Sequence, residues 1–140
     1  MQARIAQLSK RLNKNYLLQF CIGLVYLVFG VLKFFPEASP AEALAIDTIA
    51  ELTFDTMPPV FSLFLLAVWE TSIGFLLIGN WFIRFAIIIA LLHMLLTFTP
   101  IFLFPHLTFS TAPVLPSLLG QYIAKNIIII AALIRLYPSR

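Results

Sequence analysis

Four long apolar stretches, separated by short segments that contain most of the prolines and carboxylates, dominate the pattern of this sequence. Each stretch is close to the ~20 residues that a helix needs to cross the hydrocarbon core of a bilayer. Pro58-Pro59 opens the second stretch, where a helix tolerates proline best, and Gly79-Asn80 marks a tight turn before the third. The pattern predicts four membrane-spanning helices. We place them at residues 16–35, 59–78, 81–103 and 118–137.

The segment between the first and second spans has a helical pattern of its own. Residues 39–42 (Ser-Pro-Ala-Glu) form a capping box with proline at the first helical position. Apolar residues then share one helix face, while Asp47, Glu51 and Asp55 share another. We expect a short amphipathic helix over residues 40–54, on the outer membrane surface or as a lid over the bundle; a solvated connector is the alternative. Its carboxylates suit a solvated face, because the segment lacks the alternating ligands and glycine of a calcium loop.

The composition narrows the class of protein. Of the 140 residues, 61% are hydrophobic and 11% are charged, whereas soluble domains have roughly 45–50% apolar and about 25% charged residues. These values exclude a soluble globular enzyme, a disordered segment and a nucleic-acid-binding domain. The single cysteine, Cys21, excludes an internal disulfide and a CxxC motif. We expect one integral membrane domain over residues 1–140, an all-α four-transmembrane-helix bundle with a short amphipathic outer helix between spans one and two.

Charge asymmetry predicts the orientation of the bundle. Basic residues lie before the first span, at the start of the third span, and at the end of the fourth span and of the sequence: Arg4, Lys10, Arg11, Lys14, Arg84, Arg135 and Arg140. The two loops on the opposite side contain no Lys or Arg. We therefore expect a multi-pass protein of the bacterial inner membrane with both termini in the cytoplasm. The first span exceeds the roughly 7–15 apolar residues of a signal peptide, so we expect it to be retained.

Small and polar residues share one face of every span. In the first span this face carries Gln19, Gly23, Tyr26, Gly30 and Lys33. In lipid, small residues let helices approach closely, and polar residues turn inward to find partners. We expect the four faces to meet at the bundle axis. Helix–helix contacts are expected at Gly23, Gly30 and Gly74.

Glu70 and His93 are both expected near the bilayer midplane. At about 1.5 Å per residue, Glu70 lies ~16 Å below the outer end of its span, and Lys125 lies ~10 Å from the same face. A carboxylate at mid-depth costs on the order of 2.5–3.5 kcal/mol and needs a partner. We expect Lys125 to be that partner. The other candidates for this polar centre are Lys33, His93, Tyr26, Asn126 and Gln121.

Two interpretations of the polar centre stay open. Glu70 with Lys125 is either a proton-relay or head-group site, or a structural ion pair that fixes helix register. His93 is either a ligand or a hydrogen-bonded packing residue. We expect no metal site. An intramolecular bis-His haem is excluded, because His93 and His106 lie ~20 Å apart along the third span.

Three segments of the sequence carry glycines and polar residues in a specific order. Residues 23–36 are GLVYLVFGVLKFFP, residues 70–79 are ETSIGFLLIG, and residues 119–127 are LGQYIAKNI. Together these segments resemble the DoxX-like family of small four-span membrane proteins. In that family the first helix ends in Gly-x-x-Lys, the second carries Glu, then glycine and a leucine-rich stretch, and the fourth carries Lys followed by Asn or Asp. The resemblance extends from Gly23 to Ile134. It implies a polar centre formed by Lys33, Glu70, Lys125 and Asn126.

The resemblance implies a redox-associated function, because the family is named after a subunit associated with thiosulfate:quinone oxidoreduction. Our first hypothesis is a membrane subunit of an oxidoreductase that receives a quinone or a small reductant at the Glu70, Lys125 and His93 cluster. The second is a non-catalytic accessory or assembly subunit of a larger membrane complex. The third is a small transporter or proton pathway. The expected partners are the lipid bilayer and either another protein or a second copy of the chain, and no nucleic acid.

Overall fold

The computed structural model of the chain describes residues 14–35, 38, 42–111 and 115–138. Within these residues, four helical segments are long and apolar enough to cross a membrane, and they pack as a bundle. The predicted all-α four-helix class is therefore confirmed. Residues 39–41 of the predicted capping box lie outside the described residues, as do Arg4, Lys10, Arg11 and Arg140.

The helices follow the predicted order, with two of the spans interrupted. The first span is α1 (Lys14–Leu32), the outer helix is α2 (Glu42–Leu52) and the second span is α3 (Pro59–Gly79). The third span consists of α4 (Ile83–Leu96) and α5 (Thr99–Leu103), and the short α6 (Pro105–Thr108) follows it. The fourth span consists of α7 (Leu118–Ala124) and α8 (Asn126–Leu136).

A small antiparallel hairpin, which the sequence pattern did not predict, lies in the loop before the fourth span. It pairs β1 (Phe109–Thr111) with β2 (Leu115–Pro116). Thr108 connects the hairpin to the fourth span, because its carbonyl accepts a hydrogen bond from the Ser117 N–H at 2.9 Å. The Ser117 side chain in turn accepts from the Gly120 N–H and caps α7. The hairpin therefore fixes where the fourth span begins.

The closest helix packing in the bundle joins α1 to α3. A Cβ atom added at Gly30 would lie 2.6 Å from the Thr71 backbone nitrogen, and one added at Gly74 would lie 2.7 Å from the Leu27 nitrogen. Gly23 lies against the same helix, where a Cβ would be 2.9 Å from a side-chain carbon of Ile78. All three glycines that the sequence placed at helix contacts lie in this interface. Backbone-to-backbone contact is the packing that membrane helices use where side chains are small.

Local chemistry explains most of the helix ends. After Gly30, α1 tightens into i→i+3 hydrogen bonds, with the Lys33 N–H bonded to the Gly30 carbonyl at 3.2 Å. Asn80 ends α3 in the left-handed conformation, with φ 56° and ψ 35°. The third span breaks just before Pro100, because proline has no N–H to continue the helical bonding.

The outer helix α2 covers one end of the bundle and packs against α3 and α5. Leu44 and Thr48 are buried on its inner face, whereas Asp47 and Glu51 are exposed. The amphipathic segment therefore forms a helix that acts as a cover rather than a solvated connector. We call this end of the bundle, which also carries the hairpin, the outer end.

Large apolar side chains cover the sides of the bundle as well as its core. The core is formed by fully buried residues such as Ile73, Leu77, Ile87 and Leu133. Many outward positions carry exposed aromatic or aliphatic residues, among them Phe61, Phe64, Phe75, Phe85 and Phe102. A surface of this kind is suited to lipid and not to water. The chain is accordingly a multi-pass membrane protein.

Candidate functional site

A cavity of about 520 Å³ lies between the outer halves of the four spans and beneath α2. Its size falls within the roughly 300–1,000 Å³ of small-molecule sites, which are mostly apolar and have a few converging polar groups. Here the apolar wall includes Leu44, Ile49 and Leu66. Polar side chains from every span and from α2 line the rest: Tyr26, Lys33, Thr48, Glu70, His93, Thr97, Tyr122, Lys125 and Asn126.

The carboxylate of Glu70 lies at the centre of these polar groups and is almost fully buried, with 7% of its side chain exposed. Lys33 Nζ lies 2.6 Å from Glu70 Oε2, and His93 Nε2 lies 3.1 Å from Oε1. Each carboxylate oxygen therefore has its own nitrogen partner. A carboxylate at this depth requires such partners.

Lys33 is the cation that pairs with Glu70, so the expected pairing with Lys125 is wrong. Two local features explain the difference. Gly30 allows α1 to contact the backbone of α3 at Thr71, the residue after Glu70. The tightened last turn of α1 then directs Lys33 toward the carboxylate, and Lys33 Nζ also donates to the Phe29 carbonyl at 3.4 Å.

Tyr26 and His93 extend the chain of hydrogen bonds from Glu70 into the bundle. The Tyr26 hydroxyl donates to the Ala90 carbonyl at 3.0 Å and lies 3.2 Å from His93 Nδ1. The direction of the hydrogen bond between the Tyr26 oxygen and Nδ1 is set by the tautomer of His93. A contact between His93 Nε2 and a carboxylate oxygen needs a proton between them. Glu70 and His93 therefore share a proton.

Lys125 lies at the junction of α7 and α8 and points into the same cavity, away from the Glu70 pair. Its Nζ lies 3.7 Å from the centroid of the Tyr122 ring and 5.5 Å from that of Phe29. Stacking of an ammonium group on aromatic rings is favourable, by about 0.5–2 kcal/mol. The partners of the Lys125 amine are therefore the rings of Tyr122 on α7 and Phe29 on α1, and not the Glu70 carboxylate that the sequence predicted.

Asn126 and Gln121, both predicted at the polar centre, have different surroundings. Asn126 is buried, lines the cavity and donates to Thr97 Oγ1 at 3.0 Å. Gln121 lies away from the centre: it is exposed and donates to the Pro116 carbonyl at 3.3 Å. Because it lies in the first turns of α7, its amide reaches the loop carbonyl before the span rather than the bundle axis. The prediction that Gln121 belongs to the polar centre is therefore wrong.

Two positions in or beside the site were missed in the sequence. Tyr122 lines the cavity beneath Lys125, and its spacing of three residues from that lysine on a helix is the signal that could have identified it. Thr71 has the only buried side-chain oxygen or nitrogen without a hydrogen-bond partner in the described residues. No pattern in the sequence marks Thr71, because its environment depends on the contact with Gly30.

The described part of the chain contains no group of three or more His, Cys, Asp or Glu side chains that could hold a metal ion. His93 faces Glu70 and Tyr26, whereas His106 is exposed at the outer end beside Phe104. Comparison with known protein families, with curated proteins and with solved structures gives no match for this chain. The geometry of the cavity is therefore the basis for a functional assignment.

Proposed function

We propose that this chain is a membrane subunit of an oxidoreductase and receives a quinone or a small reductant in the cavity beneath α2. The observation that carries the proposal is the buried chain Tyr26–His93–Glu70–Lys33, which opens into an apolar cavity of ligand size. The segments that resemble DoxX-like redox-associated subunits contain three of these residues, Tyr26, Lys33 and Glu70. We propose membership of that family on the same ground.

The cavity suits a quinone in shape and in hydrogen bonding. The apolar wall can hold a flat ring, and the carbonyl oxygens of a quinone need donors. A lysine ammonium group has three donors, of which Lys33 uses one on Glu70 and one on the Phe29 carbonyl. The third N–H of Lys33 and the ammonium group of Lys125 face the cavity as donors for the ligand.

The shared proton of Glu70 and His93 gives the site a route for proton transfer. Reduction of a quinone to a quinol takes up two electrons and two protons. In this proposal a redox enzyme bound to the subunit supplies the two electrons. The Glu70–His93 pair passes one proton to the ligand oxygen beside Lys33, and water supplies the second proton to the other oxygen and then reprotonates the pair. Buried carboxyl and imidazole groups of this kind are the usual general acids and bases of enzymes.

Quinone reduction in membranes tests the proposal. Membranes are prepared from cells of the native host that carry either the wild-type chain or Glu70→Gln as their only copy, and a short-chain quinone is added. We expect Glu70→Gln to lower the protein-dependent rate by about a hundredfold, the lower end of what proton transfer contributes. Ser72→Ala, at an exposed position on the same helix, should keep the wild-type rate.

A second variant protects this test against simple misfolding. Tyr26→Phe removes one hydroxyl from the chain but leaves the Lys33–Glu70 pair intact, so it should fold and still reduce quinone more slowly than the wild type. The amount of each variant in the membrane is measured by immunoblotting. Wild-type rates in both Glu70→Gln and Tyr26→Phe would contradict the proposal.

The full hydrogen bonding of the Glu70 chain favours one alternative, a non-catalytic accessory or assembly subunit. All four side chains of the chain already have protein partners, as a pair that only fixes helix register would require. Quinone binding by the protein purified in a mild detergent decides between the two. An accessory subunit should co-purify with another protein and bind no quinone, whereas a preparation that binds quinone argues against that role.

We also propose that the protein lies in the bacterial inner membrane with both termini in the cytoplasm. Apart from the buried Lys33, which directly follows α1, the described residues of the loops at the outer end include no Lys or Arg, whereas Arg84 and Arg135 lie toward the opposite end. Basic residues are enriched on the cytoplasmic side of inner-membrane proteins.

A further inference from the structure

The Lys33–Glu70 pair contains one cation and one carboxylate, and His93 Nε2 contacts the second carboxylate oxygen at 3.1 Å. Glu70 therefore has no oxygen left for another cation. Lys33 uses one N–H on Glu70 and one on the Phe29 carbonyl, so one of its three N–H groups remains for a ligand.

Lys125 places an uncompensated positive charge in the same cavity. Its ammonium group contacts the rings of Tyr122 and Phe29 and, within the described residues, pairs with no carboxylate. Phe29 links the two amines, since its carbonyl accepts from Lys33 while its ring lies beside Lys125. The electron-rich face of a ring attracts a cation but does not neutralise it.

An ammonium group without a carboxylate partner in a largely apolar cavity within a membrane is costly unless an anion accompanies it. The rest of the wall, which includes Leu44, Ile49 and Ile128, is apolar. We propose that this cavity binds an amphipathic anion, with an oxyanion head group between Lys33 and Lys125 and an apolar body beneath α2. The inference rests on the proposed function in using the same cavity, and it narrows the ligand to an acidic compound.

Two matched pairs of probes test the charge of the ligand. Laurate is compared with dodecanol, and lawsone, an acidic hydroxynaphthoquinone, is compared with its neutral methyl ether. The members of each pair have similar apolar bodies and differ in charge at neutral pH. Binding to the full chain in nanodiscs of zwitterionic lipid is measured by calorimetry, and empty nanodiscs give the contribution of the lipid. We expect the anion of each pair to bind at least about tenfold more tightly, equivalent to 1.4 kcal/mol.

Substitutions on the fourth span test where the anion lies. Lys125→Met should weaken the binding of both anions about tenfold and the binding of the neutral probes by less than that, whereas Lys125→Arg should keep most of the anion affinity. Arg135→Met is the matched control, because it removes one positive charge from the same span at an exposed position remote from the cavity. Size-exclusion chromatography checks that each variant is folded.

The outcomes separate this inference from the proposed function. Equal binding of both naphthoquinones would agree with the proposed function but would contradict the inference that the ligand is an anion. Binding of laurate that depends on Lys125, with neither naphthoquinone bound, would support the anion and contradict a quinone site. The inference is also overturned when no anionic probe binds, or when Lys125→Met and Arg135→Met weaken anion binding equally.

Discussion

Glu70 is bound through both oxygens, so the loss of either partner leaves a buried group without its counterpart. Lys33 and Glu70 have only 7% of their side chains exposed, and breaking a buried pair on one side typically costs about 3–5 kcal/mol. Lys125 is exposed to the cavity and contacts rings alone. The two lysines should therefore differ sharply in their contribution to stability, although both are intramembrane cations.

Lys33→Met should lower the free energy of unfolding by about 3–5 kcal/mol, because it leaves Glu70 with His93 alone. Lys125→Met should change it by less than about 1 kcal/mol. Unfolding in SDS, followed by circular dichroism, measures both values. The double variant Lys33→Met/Glu70→Gln should recover part of the loss, since no full charge is then left unpaired. Equal losses for the two lysines would contradict the observed pairing.

Thr71→Val should leave stability unchanged or raise it by about 1 kcal/mol. The Thr71 hydroxyl is buried and has no hydrogen-bond partner, and an unsatisfied buried hydroxyl carries a desolvation cost of about 1–3 kcal/mol. Valine has nearly the same shape and no polar group. The same SDS unfolding assay measures the effect, with the exposed Ser72→Ala as the control. A loss of more than about 1 kcal/mol would show that the hydroxyl has a partner in the membrane.

The sequence could predict that Glu70 needs a cation, but not which one. Depth along ideal helices ranked Lys125 first, because its long side chain could reach the midplane. The choice of Lys33 depends on the tightened turn after Gly30 and on the approach of α1 to α3 at Thr71. Both features depend on how two helices pack together, and the periodicity of a single helix cannot predict them.

The interface of α1 and α3 is the most constrained contact between elements. At both Gly30 and Gly74 the space for a Cβ is occupied by backbone atoms of the facing helix. Backbone atoms cannot move aside as a flexible side chain can. A single methyl group added there must separate the two spans, and the Lys33–Glu70 contact at 2.6 Å would lengthen with them.

Gly30→Ala should destabilise the protein by about 1–3 kcal/mol, the usual cost of overpacking. The direction of this change in stability is informative, because replacing glycine by alanine within a helix otherwise stabilises a protein by about 0.5–1 kcal/mol. Cys21→Ala, at an exposed position on the same helix, is the control and should be neutral. Differential scanning fluorimetry measures the shift, and a higher melting temperature for Gly30→Ala would contradict the close packing.

The existence and order of the spans could be predicted from the sequence, but their interruptions only in part. Pro100 signalled an irregular end of the third span, and the helix does break just before it. The break at Lys125 has no proline or glycine to signal it. The hairpin at residues 109–116 was missed because it is very short and is fixed by the contact of Thr108 with Ser117 and Gly120.

At the scale of the whole molecule, the cover α2 and the hairpin lie at one end, and the turn between α3 and α4 lies at the other. Most of the described carboxylates lie at the outer end, and the exposed Arg84 lies at the opposite end. The charge asymmetry therefore follows the long axis of the bundle, and it predicts which end faces the cytoplasm.

Labelling with a membrane-impermeant maleimide tests this orientation. In a Cys21→Ala background, Asp47→Cys on α2 should react in intact cells from which the outer membrane has been removed. Arg84→Cys should react only after the inner membrane is opened, because positive charges stay on the cytoplasmic side. Labelling of Arg84→Cys in intact cells, with Asp47→Cys protected, would reverse the proposed topology.

Burial also makes the Lys33–Glu70 pair insensitive to ionic strength. Dissolved ions screen charges that water surrounds, over a Debye length of about 8 Å in physiological salt, and screen buried pairs far less. With 7% of either side chain exposed, added salt weakens this attraction far less than it weakens an exposed ion pair. The contact between the two helices at this pair therefore changes little between brine and dilute media.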